Sequence, residues 1–391
     1  MKPFDQPISQ EKLDIFHKNR SNLFAWRGQF SPQLIEVILE QYCLPDYIIL
    51  DPFAGSGTVL LEAAKLQLSA YGFDINPAAF ILSQTYQLIN HPRKLDLIHI
   101  LRELVDREFP YRIFQHEPVE NLAQKLTTIR KKLDPETRKI FDTLVILLDV
   151  EKNSVTNELI QSKFTDLVNL IKNLPYSHHP IKVGLSDARS LPLPNDSIDF
   201  IITSPPYINV FNYHQNYRKS AELLEWDLLK IARSEIGSNR ANRSNRFYTV
   251  VQYCLDMAET LREFSRVSKK NARLVLVIGH QSNVLGVPFY NADIIEKICL
   301  NANVFQKKLR QKREFKNKFG QVIREDIINF CNLKNSLDQQ NLKMIAREVA
   351  LDILKSSLGW VSPQNINHLK AAIDKVQEID NTPTLDKRFY L

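Results

Sequence analysis

The spacing of apolar positions changes character several times along this chain. Residues 28–44, GQFSPQLIEVILEQYCL, carry an apolar stripe at helical spacing, with Ser31 as N-cap and Pro32 at the first helical position. A short apolar run predicts a strand over 47–51, a small-residue loop follows, and a helix is expected from about 57 to 66. A second strand, SAYGFD, ends at Asp74, and Asn76 with Pro77 opens another helix. Between 88 and 180 four stretches have helical apolar spacing, among them RKLDLIHILRELVDREF and NELIQSKFTDLVNLIKNL, which predicts a helical insert. Strand signals return at IKVGL (181–185) and IDFIIT (198–203), the latter a β-branched run expected to be covered on both faces. Residues 208–246 are polar and aromatic; then come a helix near 250–267, a buried strand ARLVLVIG (272–279), and a hairpin from 303–312 and 323–332 turning at Gly320. From about 335 the chain is helical again. The alternation of strand and helix favours an α/β class. The resulting division is a first core part (1–90), a helical insert (91–180), the rest of the core (181–334) and a helical tail (335–391).

Composition changes this picture little. The 391 residues are 44% hydrophobic and 24% charged, ordinary for a globular chain with an insert. The formal charge of +7 suits a polyanionic partner without requiring one. Cys43, Cys254, Cys299 and Cys331 are scattered, which fits reduced thiols better than a disulfide framework or a zinc site, and no metal is expected. The first residues lack the apolar region of a signal peptide, and no stretch reaches the roughly 20 apolar residues of a membrane helix. The expectation is a cytoplasmic, nucleoid-associated protein.

Two short stretches carry chemistry. In DPFAGSGTVLLEAAKLQLSAYGFDINP, a strand delivers an acid and a proline into Gly-x-Gly, then a helix. Glycines permit tight backbone angles and close approach of a ligand, and the helix start offers free N–H groups. Asp74, about 20 residues beyond the loop, is placed to accept hydrogen bonds from ribose hydroxyls. Leucine at the third position of GSGTVL departs from the dinucleotide fingerprint, and no Lys follows Gly57 as a phosphate loop needs.

The second stretch is IDFIITSPPYI (198–208), in which a buried strand leads into Ser204-Pro205-Pro206-Tyr207. Ligands sit at that edge of open α/β sheets. Two prolines stiffen the turn and remove two N–H donors. The Ser204 hydroxyl and the Pro205 carbonyl can accept both hydrogens of an exocyclic amine on a nucleobase, which localises the nitrogen lone pair for attack on a methyl group. Tyr207 offers a flat face to the base.

Together these stretches resemble the S-adenosylmethionine-dependent amino-methyltransferases of DNA. DPFAGSGT is similar to that family's motif I, GFDINP to motif II, GLSDARSLP (184–192) to motif III, TSPPY to motif IV, and GQFSPQL (28–34) to motif X. The resemblance covers roughly 17–90, 181–215 and 270–332, and it makes the uncovered insert a candidate target-recognition region. It implies a Rossmann-like, seven-stranded, mostly parallel sheet with helices on both faces, and S-adenosylmethionine as cofactor. It further implies that Phe30, Ser31, Pro32, Asp51, Phe53, Ala54, Gly55, Gly57, Thr58, Asp74, Ile75, Asp187 and Ala188 bind the cofactor, with Asp187 near the adenine ring. Ser204 to Tyr207 become the catalytic tetrad. A leading Ser in that tetrad is typical of N4-cytosine enzymes, so the expected reaction is methylation of cytosine N4 in duplex DNA by base flipping, with a cognate restriction endonuclease as partner. The alternatives are an N6-adenine enzyme, an RNA base methyltransferase, and a non-catalytic DNA-binding subunit. No Pro-Cys dipeptide is present for the thiolate adduct of C5 methylation.

Three stretches compete for DNA. After the tetrad, Tyr213 and Tyr217 are candidates for base stacking and Arg218 for phosphate; a packed loop is the alternative. SNRANRSNR (238–246) presents Arg240 and Arg243, either as a loop that orders on DNA or as a solvated one. QKKLRQKREFKNKFG (306–320) holds seven Lys or Arg, with Lys312, Arg313 and Lys316 as its phosphate contacts; a lysine-protected edge strand is the alternative.

Overall fold

The computed structural model describes residues 3–16, 19–111, 117–208, 212–238, 242, 244–316, 320–336 and 338–386. Seven strands form one sheet: β1 (Ile48–Asp51), β2 (Ser69–Asp74), β3 (Ile181–Leu185), β4 (Ile198–Thr203), β5 (Ser268–Gly279), β8 (Phe305–Lys316) and β9 (Val322–Asn332). A separate small ladder pairs β6 (Ser282–Val284) with β7 (Val287–Phe289), which the hydrophobic pattern did not announce. The sheet order is β3-β2-β1-β4-β5-β9-β8, parallel from β3 to β5 and antiparallel through the β8–β9 hairpin. This is the expected Rossmann-like α/β fold.

Both faces of the sheet are covered, which is why its central strands read as continuous apolar runs. Ile49, Phe200, Ile202, Val275 and Val277 point to the side packed by the helices Pro32–Tyr42, Thr58–Lys65 and Pro77–Gln84. Leu50, Ile201, Leu274, Leu276 and Ile278 point to the other side, under the helices Tyr248–Val267, Asn291–Asn301 and Gln339–Ser356. The alternation follows from the two-residue period of a strand.

The insert folds as the helices Lys94–Glu108, Leu122–Lys132, Pro135–Leu147 and Asn157–Lys172. Its apolar residues, such as Leu101, Phe141 and Phe164, join the first of these cores rather than forming one of their own. Thr143 donates to the Ile81 carbonyl at 3.1 Å, and the Val150 amide donates to Ser220 at 3.1 Å, so the insert grips both the helix after β2 and the segment after the tetrad.

Strand order reverses between β1 and β4, whose carboxyl ends carry Asp51 and, one residue past β4, Ser204. The two motif-bearing turns, more than a hundred residues apart in sequence, therefore meet at the point where such sheets open a crevice.

Candidate functional site

The first loop is held by its own acids. Asp51 is 1% exposed and accepts from the Phe53 amide at 3.2 Å and from the Thr203 hydroxyl at 2.6 Å, which ties β1 to β4 beneath the cleft. Burial pushes its carboxyl up to about 7. Asp74 accepts from the Gly55 amide and from the Asn76 amide, both at 2.8 Å, which fixes the carboxylate at the lip of β2. Burial, opposed by those amides and reinforced by Glu235, pushes it up to about 6. Asn76 caps the next helix through the Ala78 amide at 2.9 Å and donates to the Tyr213 carbonyl at 3.0 Å.

The two loop glycines have a different explanation from close approach of a ligand. Both adopt positive φ, +51° at Gly55 and +85° at Gly57. A Cβ on Gly57 would stand 2.5 Å from the Tyr86 ring, and one on Gly55 would stand 3.0 Å from Trp26. The side chains are excluded by protein aromatics that clamp the loop from behind and from the rim.

A cavity of about 820 Å³, counting its open mouth, lies over this loop. Of the expected cofactor residues it is lined by Phe30, Phe53, Ala54, Gly55, Thr58, Asp74, Ile75, Asp187 and Ala188. Asp51 and Gly57 do not reach its surface and act from underneath. Ser31 and Pro32 line a neighbouring cavity instead, and Ser31 stands at the N-cap position without a capping bond from its hydroxyl. Trp26, Asn76, Tyr213, Glu235 and Ile236 also line the first cavity. Sequence reading missed Glu235, because its partner His214, 2.8 Å away and buried with it, is 21 positions distant and carries no local signal.

Asp187 lines the cavity with its carboxylate already engaged. Its carboxylate is 1% exposed and receives the Arg189 amide at 2.9 Å, Arg189 Nε at 3.0 Å, Arg189 Nη2 at 2.7 Å and the Leu385 amide at 3.0 Å. All four acceptor positions are filled from the protein, so the carboxylate is committed to the fold where Asp187 and Ala188 line the first cavity.

At the second turn, the Ser204 hydroxyl lies 3.0 Å from the Tyr207 hydroxyl. The Tyr207 ring packs on Gly279, where a Cβ would stand 2.7 Å from it, and burial raises the phenol so that it keeps its proton. The Tyr207 ring thus rests against β5, and its hydroxyl braces Ser204. The Pro206 carbonyl accepts from Tyr253 at 3.1 Å. Ser204 and Pro206 line the first cavity; Pro205 is buried beneath it.

A second cavity, lined by residues 20–25, Gly28 to Pro32, Ser204, Arg313, Phe315 and Glu325, shares Gly28, Gln29, Phe30 and Ser204 with the first. Ser204 is therefore part of the wall between two chambers.

The expected DNA contacts divide. Tyr213 lines the first cavity. Tyr217 donates to the Ala25 carbonyl at 3.0 Å and stacks on Trp26, so it is packing and not a free stacking face. Arg218 is paired with Glu222 at 2.7 Å on its own helix turn. Arg240 and Arg243 lie outside the described residues. On the hairpin, Lys307 pairs with Glu296, and Arg310 holds Asp293, Glu296 and Asp326. Lys312 and Lys316 stand exposed, while Arg313 is turned inward by strand alternation and is 3% exposed. Among the described residues no group of three or more His, Cys, Asp or Glu is placed to hold a metal, and no helix is long and apolar enough to cross a membrane.

The cleft is chemically suited to a cationic nucleoside. Asp74 and Glu235 present negative charge to the first cavity, which matches a sulfonium and an ammonium group, and Asp74 keeps acceptor capacity for ribose hydroxyls. A cation binds the ionised Asp74 preferentially, so binding lowers its pKa and releases a proton. Cofactor affinity is expected to rise with pH from ~5 to ~7 and then level off. Titration calorimetry in two buffers checks this, and Asp74→Asn is expected to bind more weakly and to flatten the slope. An unchanged slope in that variant would move the proton to another acid. Without ligand the sign is opposite: the raised Asp51 and Asp74 contribute stability that is present below pH ~4 and is lost as pH rises through about 6 to 7.

Residues 6–84 match the model of the N6/N4 methyltransferase family described as DNA methylase. The Type II methyltransferase M.MjaII of Methanocaldococcus jannaschii is 27% identical over 134 residues, 33% of this chain and 24% of that protein. M.BsoBI of Geobacillus stearothermophilus is 23% identical over 283 residues, 55% of each chain, and M.MvaI of Kocuria varians is 22% identical over 375 residues, 72% of this chain and 82% of that one. The chain thus spans about a quarter of the first relative and about half of the second. Over residues 6–84 the chain is similar to the N6/N4 methyltransferase family described as DNA methylase, and S-adenosylmethionine is the cofactor that this similarity supports.

Proposed function

We propose that the protein transfers the methyl group of S-adenosylmethionine to the exocyclic amine of a base in duplex DNA, N4 of cytosine. The observation that carries this reading is Ser204, a wall residue common to the loop-bound cavity and its neighbour. A methyl donor in the first chamber and a flipped base in the second would meet at that hydroxyl. The cofactor supplies an electrophilic methyl on a sulfonium. The Ser204 oxygen, oriented by Tyr207, and a backbone carbonyl beside it accept the amine hydrogens, which turns the nitrogen lone pair toward the methyl. The methylated amine is acidic and loses its proton after the transfer, so attack needs no strong base and no covalent enzyme intermediate. The acids of the first chamber favour the cationic cofactor and repel the DNA backbone, which keeps the polyanion outside. The Type II relatives support a restriction–modification setting, with a cognate endonuclease as partner.

The test is incubation with labelled S-adenosylmethionine and unmethylated duplex DNA, followed by nucleoside mass spectrometry. N4-methylcytosine is the expected product. N6-methyladenine would overturn the choice of base, and label on RNA alone would overturn the choice of polymer.

Lys312 and Lys316 are the hairpin's candidates for phosphate contact. Changing both to Ala is expected to reduce the slope of log K against log salt by about 2, since each phosphate contact contributes about 0.9. Fluorescence anisotropy over a salt series measures it. Lys307→Ala, at a residue already paired with Glu296, is expected to leave the slope nearly unchanged.

A further inference from the structure

Arg313 is too buried to serve as a surface phosphate contact. Its side chain is 3% exposed and lines the second cavity, the chamber that also contains Ser204. The guanidinium stacks on Phe315 at 4.4 Å, and Glu325 lies 3.5 Å from Nε as an ion pair without hydrogen-bond geometry. Arg313 Nε is buried with no hydrogen-bond partner, and so is the Ser31 hydroxyl on the same cavity. The other arginine of this lining, Arg20, also has a buried, unpaired Nε, but its terminal nitrogen is committed to Glu36 and Glu62 at 2.6 and 2.8 Å. Buried donors are rarely left unpaired unless a ligand or water completes them. A charged fork held on an aromatic face, away from solvent and beside the reacting wall, is a recognition group waiting for acceptors.

We infer that Arg313 reads the acceptor edge of the flipped base, donating to N3 and O2 of cytosine while Ser204 holds the amine. This rests on the proposed amino-methyltransferase activity and adds a specificity-determining residue to it. Cytosine presents amine, N3 and O2 in a row, so its two adjacent acceptors match two donors of a guanidinium. Adenine presents N1 and then a C–H beside its amine, and leaves the second donor unpaired. The penalty for that orphan donor is the discrimination.

The test is a chemical double-mutant cycle on the recognition duplex. The target is either cytosine or a 2-aminopyridine C-nucleoside, which keeps the amine and the adjacent ring nitrogen and lacks the 2-oxo group. The unmodified enzyme is expected to lose about 10–100-fold in kcat/KM on the analogue. Arg313→Met is expected to lose a similar factor on cytosine, to lose nothing further on the analogue, and to bind S-adenosylmethionine within about twofold of the unmodified enzyme. Full kcat/KM for Arg313→Met on cytosine, or undiminished sensitivity to the missing oxygen, would sink the assignment while leaving the methyltransferase reading intact. Should Arg313→Met fail to fold, as an altered melting curve and lost cofactor binding would reveal, Arg313→Lys and Arg313→Gln run the same cycle. A product of N6-methyladenine from the unmodified enzyme overturns both the base assignment and this role.

Discussion

Replacing Ser204 by Ala is expected to lower kcat by about 10²–10³-fold while changing S-adenosylmethionine affinity less than about threefold. The asymmetry comes from position. The hydroxyl belongs to the wall between the chambers, its partner in the fold is Tyr207 at 3.0 Å, and no cofactor-loop atom depends on it. In the proposed reaction it accepts the amine hydrogen, a bond that strengthens as the nitrogen becomes pyramidal and positive, so the expected loss falls on the transition state. Single-turnover rates at saturating cofactor, beside calorimetric affinities, separate the two terms. A Ser204→Ala enzyme that loses cofactor affinity and turnover equally would reassign the hydroxyl to cofactor binding.

Arg189→Met is expected to cost about 3–5 kcal/mol of stability, the largest single effect on the fold. Arg189 is 4% exposed and joins Asp187 and Asp256 in a buried triad, with Nη1 also donating to the Thr382 hydroxyl at 2.7 Å and Nη2 to the Ser234 carbonyl at 3.2 Å. Burial already pushes Asp256 up to about 7 even with the arginine in place. Removing the cation leaves two carboxylates with no countercharge and deletes the Arg189 bonds to Thr382 and Pro383, while the Leu385 amide still donates to Asp187. Urea unfolding is expected to show a lower midpoint. The triple variant that also carries Asp187→Asn and Asp256→Asn is expected to recover part of the loss, because the uncompensated charge, rather than a missing bond, dominates the cost. Equal stability of the single and triple variants would mean that packing and not charge sets the penalty.

Arg313 and Arg310 show how far a basic run can mislead. In the sequence the hairpin reads as one polyanion patch, yet its cations have separate fates. Arg310 is held by three acids brought from a helix and from β9, and Arg313 faces the second cavity because odd positions on that part of β8 point inward. Strand alternation was readable from the start, but which face is the inner one depends on where β8 sits in the sheet. Tyr217 and Arg218 have the same lesson at shorter range: aromatic and basic residues after the tetrad look like a DNA surface, and most of their contacts go to Trp26, Ala25 and Glu222.

The amino-acid sequence by itself determined the order of the seven sheet strands and of the longer helices, the two turns that carry chemistry, and the acids that end β1 and β2. Those are local properties: apolar period, glycine at positive φ, proline after a strand and a carboxylate at a strand end are legible within ten residues. Only the tertiary structure decided that Tyr86 and Trp26 exclude side chains at Gly57 and Gly55, that Arg189 and Leu385 occupy Asp187, that the insert shares the core of the sheet, and that Ser204 stands between two cavities. Each of those facts joins residues distant in sequence. Burial makes the pairing of such groups obligatory, and the pattern of a chain does not say which partner will satisfy it.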